Sequence, residues 1–145
     1  MSLLTSFNLS SAGMSVQKDR LNVAAENLAN VSTTRTPEGG PYRKKSLMIG
    51  SIPVGMQESF EAYLKKADVK APQVSSVQKS GEDFISMYDP QNPDADTKGF
   101  VKMPNISTTQ EMVNMMAASS AYEANMSVFS EAKTMFMRTL DMGSV

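Results

Sequence analysis

The chain contains no cysteine, no histidine and no tryptophan among its 145 residues. Without thiols there is no disulfide framework and no thiolate nucleophile, and without imidazole nearly all zinc and transition-metal chemistry goes too. Acid–base work would fall to carboxylates, lysine or tyrosine, and a metal would have to be a hard cation held by oxygen. Aromatic residues make up only 7% of the chain and apolar residues 41%, so a large independent core is not expected. The formal net charge of −1 gives no electrostatic reason to bind nucleic acid or an anionic membrane. No apolar run approaches the length of a membrane span. The opening residues, MSLLTSFNLSSAGMSVQKDR, lack a basic start, and Ser, Thr and Asn interrupt their apolar positions. A cleaved secretory signal is therefore not expected.

What is present is concentrated at the two ends. From Ser107 to Met142 there is no Pro and no Gly, and seven of the 13 methionines fall here. Ala, Glu and Met favour helix throughout, and at about 1.5 Å per residue such a helix is roughly 50 Å long. Thr108 and Glu111 have the spacing of a capping box at its start, and Gly143 supplies a stop. Large residues recur every seven positions at Met115, Tyr122, Phe129 and Phe136, with Ala118, Asn125, Ala132 and Thr139 three places on. That alternation resembles a coiled-coil seam with Asn125 as a polar register-setter. Near the other end, Phe7, Met14, Leu21 and Leu28 repeat with the same period, reinforced by Ala24 and Val31. Two seams of matching period most simply pair with each other. Their outer faces still carry Met112, Met116, Met126 and Met135, which other chains must cover, so folding and assembly are expected to be coupled.

The middle reads differently. VSTTRTPEGGPY is dense in turn residues, and Tyr42 to Val54 is expected to give short strands broken at Gly50 and Pro53. GMQESFEAYLKK allows a short helix, while DVKAPQVSSVQK and EDFISMYDP read as two further strands. Arg43, Lys44 and Lys45 read as a solvated strand edge, and Tyr88 to Asn105 as a loop rich in Pro, Asp and Asn. Asp94-Ala95-Asp96 opens like a calcium loop, but Lys98 stands at the fifth position and Asn105 at the twelfth, where a bidentate Glu is needed. Glu82 with Asp83, and Asp94 with Asp96, read as solvated acids. No catalytic constellation, cofactor site or metal site is expected, and no small-molecule substrate.

Two segments carry a family resemblance. Leu21 to Thr33, centred on Asn27-Leu28-Ala29-Asn30, resembles the N-terminal signature of bacterial flagellar rod, hook and hook-associated proteins. Met112-Val113-Asn114-Met115 and Ala121-Tyr122-Glu123-Ala124-Asn125 resemble the C-terminal signature. Gly40-Pro41-Tyr42-Arg43, and the stretch from Tyr88-Asp89-Pro90 to Met103-Pro104-Asn105, narrow the likeness to subunits of the proximal rod. The likeness covers nearly the whole chain and is least distinctive over residues 49–79. It implies an axial structural subunit whose paired terminal helices stack around a hollow tube, transmitting torque and lining the export channel. The implied partners are copies of itself, other rod subunits, the membrane-embedded ring at the rod base and the flagellar type III export apparatus. The implied place is the flagellar basal body, in the periplasmic rod, reached without a cleaved signal peptide.

Taken together, the expected fold is mainly α, with long terminal helices paired as a coiled coil around a small β-rich insert. The expected divisions are residues 1–31 and 107–145 for the helical core and 32–106 for the insert. The expected assembly interface comprises Phe7, Met14, Leu21, Leu28 and Asn30 from the first helix and its end. From the last helix it takes Met112, Met115, Tyr122, Asn125, Phe129, Phe136 and Leu140. The rival readings are another rod or hook relative, and a soluble helical adaptor.

Overall fold

A computed structural model of the chain describes residues 3–53 and 70–143. Helix α1 spans Leu3–Ala29, strands β1 Lys45–Pro53, β2 Lys70–Lys79, β3 Ile85–Tyr88 and β4 Phe100–Met103 follow, and helix α2 spans Thr108–Gly143. The short helix expected within residues 55–66 lies outside the described residues.

The two helices run antiparallel. Phe7 meets Phe129 edge-to-face with ring centroids 5.0 Å apart, Gly13 lies against Asn125, and Asn27 donates to Glu111 at 3.2 Å. The residues buried deepest between them are small or polar: Ser10, Val16, Ala24 and Asn27 on α1, and Glu111, Ala118 and Ala132 on α2. The large residues of the repeats, among them Met14, Leu21, Leu28, Met115, Tyr122 and Phe129, are half-buried alongside. Small side chains on the contact line let the backbones approach, and the long ones close over the flanks. At Gly13 the approach is limiting, because a Cβ there would stand 2.9 Å from the Asn125 amide nitrogen. Such closeness multiplies weak dispersion contacts along the pair.

α2 starts with Ser107 as its cap, whose hydroxyl accepts the Gln110 N–H at 3.4 Å while its carbonyl takes the Glu111 N–H at 3.0 Å. The box expected between Thr108 and Glu111 does not form, because the Glu111 carboxylate turns inward instead. Residue for residue, α2 is the longer helix, 36 against 27. Beyond Ala132 every described side chain on it is exposed, leaving an overhang that includes Phe136, Leu140 and Met142.

Among the described residues, the insert forms two antiparallel ribbons rather than one sheet. β1 and β2 pair from Lys45 with Lys79 to Pro53 with Lys70, and the register skips between Met48 and Ile49. β1 therefore does not break at Gly50 as expected. Ser75 is the extra residue of a bulge on β2, and its hydroxyl oxygen occupies the place of a Cβ at position 50, 2.5 Å away. Glycine there accommodates the bulge and lets the strand continue. The ribbon packs against α1, with Ala71 buried and Met48, Ile49, Ile52 and Val77 about half exposed.

The loop expected across Tyr88–Asn105 is in its second half a strand. β4 pairs with β3 from Ile85 with Met103 to Tyr88 with Phe100. Asp96 reverses the chain by accepting the Lys98 and Phe100 N–H groups at 2.8 and 2.9 Å, and Tyr88 packs edge-to-face on Phe100 at 5.3 Å. Pro90 and Pro93 mark the turn, but a four-residue strand is too short to show an alternation of its own. The backbone bonds to Phe100 and Lys98 hold the Asp96 carboxyl below its ordinary range, and Asp94 takes the Thr34 hydroxyl at 2.7 Å. Both acids of the calcium-like stretch thus serve the turn and its anchorage. Val101, Pro104 and Ile106 are buried where this ribbon leads into α2.

Candidate functional site

The end of α1, the start of β1 and the start of α2 meet at one side chain, Asn27. Its amide donates to the Lys45 carbonyl at 2.9 Å and to Glu111 Oε2 at 3.2 Å. Its oxygen accepts the Lys45 N–H at 2.9 Å and the Tyr42 hydroxyl at 3.1 Å. Two donors and two acceptors are all an amide has, and every one is used. The pair of bonds to Lys45 imitates one rung of a β-ladder, so a helix side chain receives the incoming strand as another strand would. With 1% of Asn27 and 2% of Glu111 exposed, water is shut out, and an unmet bond here would cost far more than one at the surface.

Glu111 brings the only charge that is buried among the described residues. Lys44 Nζ reaches its Oε1 at 3.0 Å, and Asn114 donates to the same oxygen at 3.4 Å. Lys45 pairs with Glu26, and the Arg43 guanidinium lies 4.6 Å above the Phe84 ring and donates to the Ser80 carbonyl at 3.2 Å. The basic run is therefore not a solvated edge. Its three cations fasten the insert to α2, to α1 and to the β2–β3 connection in turn. The reason is that Tyr42 to Lys45 passes through the corner between the helices, where successive side chains meet different elements.

The turn that delivers Tyr42 to this corner is built by Asn30. Its amide donates to the Glu26 carbonyl at 2.8 Å, closing the end of α1, and its oxygen takes the Thr33 hydroxyl at 3.2 Å. The Tyr42 N–H then returns to the Thr33 carbonyl at 3.1 Å. Asn27 and Asn30, the two asparagines of the motif, thus have separate tasks, one holding the strand and one ending the helix. Asn27, Tyr42, Lys44 and Glu111 were not among the expected interface residues. The Asn27-Leu28-Ala29-Asn30 motif was the one available signal, since nothing in the spacing of Glu111 marks it as buried.

The expected interface residues divide into three groups. Phe7 and Phe129 pair with each other. Met14, Leu21, Leu28, Met115, Tyr122 and Asn125 are half-buried along the helix pair, as Asn30 is at its end. Met112, Phe136 and Leu140 are exposed. Met116, Met126 and Met135 are also exposed, as the outer-face reading of the sequence expects. α2 therefore leaves many large apolar side chains open to solvent along its length. No helix of the described residues is long and apolar enough to cross a membrane.

Burial, with the Glu26 and Glu111 carboxylates nearby, pushes the Tyr42 hydroxyl up to about 12 from its ordinary 10.0. An unfolded chain loses this proton first as pH rises, so the native state binds more protons between those values and its stability falls there. A two-unit difference corresponds to about 1–3 kcal/mol, lost between roughly pH 10 and 12. Urea unfolding across that range checks this: Tyr42→Phe is expected to flatten the alkaline slope.

Comparison with known proteins gives one consistent result. The family described as flagellar basal body rod FlgEFG protein C-terminal matches residues 97–142, from the turn before β4 to the overhang of α2. The chain is 38% identical to the flagellar basal-body rod protein FlgC of Borreliella burgdorferi, with 97% of each chain covered. It is 39% identical to that of Escherichia coli O6:H1 and 33% identical to that of Bacillus subtilis, with 99% of each chain covered in both cases.

Proposed function

The chain belongs to the FlgC family of flagellar basal-body rod proteins, and from that premise we propose how this structural subunit builds the rod. It assembles with other rod components in the flagellar basal body, and it is not an enzyme. The proposal is that α1 and α2 form a coiled-coil core, residues 1–31 and 107–145, whose outer face packs on the cores of neighbouring subunits. Residues 32–106 are an insert that contacts neighbours or the membrane-embedded ring. Phe7, Met14, Leu21, Leu28, Met115, Tyr122, Asn125 and Phe129 shape the pair, and Asn30 ends α1. Met112, Phe136 and Leu140 meet the adjoining subunits. Copies of this chain and other proximal rod subunits are the partners, stacked in the periplasm around the export channel and carrying torque. The chain arrives through the flagellar type III export apparatus without a cleaved signal.

The observation that carries this reading is the asymmetry of α2: small residues turned inward to α1 and a run of large apolar ones left outside. A solitary adaptor gains nothing from that exposure. The test is to isolate basal bodies from cells in which a tagged copy supplies this subunit, and to measure the mass of the incorporated chain. The expected result is a chain complete from Ser2 onward. Absence from basal bodies, or loss of residues beyond Met1, contradicts the assembly reading or the export reading respectively.

A further inference from the structure

The seven-residue repeat that makes the helix pair does not by itself decide where along α1 the longer helix rests. Sliding α2 by one repeat would place Phe136 where Phe129 now meets Phe7, and Thr139 where Ala132 now lies buried. The pattern of large and small residues would survive, and part of the exposed overhang would gain cover. The repeat alone thus does not select the observed arrangement over the shifted one. The observed one leaves Phe136 41% and Leu140 53% exposed.

Two contacts stand against the slide, one polar and one steric. Asn27 meets Glu111 and Gly13 meets Asn125, and 14 residues separate the two positions on each helix. Both contacts are in step only in the observed register. After a slide Asn27 would face Ala118, its amide would lose the carboxylate, and Glu111 would leave both Asn27 and Lys44. We infer that the Asn27–Glu111 contact is a register latch, which keeps α2 from sliding by one repeat and so keeps the overhang presented to solvent. Buried polar pairs select among packings because every wrong alignment leaves one partner unmet, while a right one need not add stability. The rival device is the tether: only residues 104–107 join β4 to α2, and Pro104 and Ile106 are buried. The inference concerns the single chain and does not depend on the assembly reading.

Because the chain has no native cysteine, paired substitutions read the register directly. Phe7→Cys is combined in the full-length protein with Tyr122→Cys, Phe129→Cys or Phe136→Cys, and intramolecular closure by a short thiol cross-linker is timed at low concentration. In the otherwise unchanged chain, closure to position 129 is expected to be at least about tenfold faster than to 122 or 136. Glu111→Gln keeps one acceptor oxygen for Asn27 and is expected to retain this preference. Asn27→Leu with Glu111→Leu is expected to bring the three rates within about threefold while helical circular dichroism persists. Moving the carboxylate by one repeat, Glu111→Ala with Ala118→Glu, is expected to shift the fastest closure to position 136. Unfolding cannot produce that selective shift. If both combinations keep the preference for position 129, the tether sets the register and the inference is overturned. If both lose all preference together with their helical signal, the contact serves stability alone and the inference is equally overturned.

Discussion

Glu111→Ala is expected to destabilise the folded chain by about 2–4 kcal/mol, the cost of leaving a buried amide donor unmet together with the cavity left behind. The carboxylate is the shared partner of Lys44, Asn114 and Asn27. Its removal strands an amide donor whose other contacts are fixed by the Lys45 backbone and the Tyr42 hydroxyl. Lys44, partly exposed, turns to water at little cost, so most of the loss arises at Asn27 and in the cavity beside it. In urea the midpoint is expected to fall by roughly 1–3 M at a slope ordinary for a small protein. A fall below about 0.5 M would show that the three elements do not depend on this carboxylate. Glu111→Gln separates the contributions: its loss should be the smaller one, because the side-chain volume and one acceptor oxygen are kept while the charge and the second acceptor are removed.

Phe136→Asp combined with Leu140→Asp is expected to do the opposite, sparing the fold and removing assembly. The two positions are four apart on one face of the overhang, and both are exposed. Substitutions at such sites usually change stability by no more than about 0.5 kcal/mol. If neighbouring subunits cover this face, each carboxylate is forced out of water against an apolar surface, at a cost of several kcal/mol. Incorporation into basal bodies is then expected to fall by at least about tenfold, with loss of swimming, while the urea midpoint of the purified chain stays in place. Normal incorporation would falsify the assignment of the overhang as a contact surface. A shifted midpoint would place these side chains in the subunit's own core.

The sequence determined the elements at the two ends. A stretch of 36 residues rich in Ala, Met and Glu, uninterrupted by Pro or Gly until Gly143, has no good alternative to helix. The repeated seven-residue spacing required a partner for it. The absence of Cys and His removed most chemistry, and the motifs around Asn27 and Tyr122 carried the family resemblance. In the insert, β2 and the four-residue β3 were legible in the sequence. β4, of the same length as β3, was not, and is made a strand by β3 and the Asp96 turn beside it. Only the tertiary structure decided which face of each helix turns inward. Periodicity reports which residues share a stripe, but the close approach at Gly13 and Asn125 puts the small residues on the contact line and the large ones on its flanks. Likewise, Glu111 at the start of a helix reads as a cap, because a local hydrogen bond can be inferred from spacing. Its actual partners, Asn27 and Lys44, are 84 and 67 positions away in the chain. A buried charge is stable only where distant groups converge on it, and that convergence is a property of the folded chain alone.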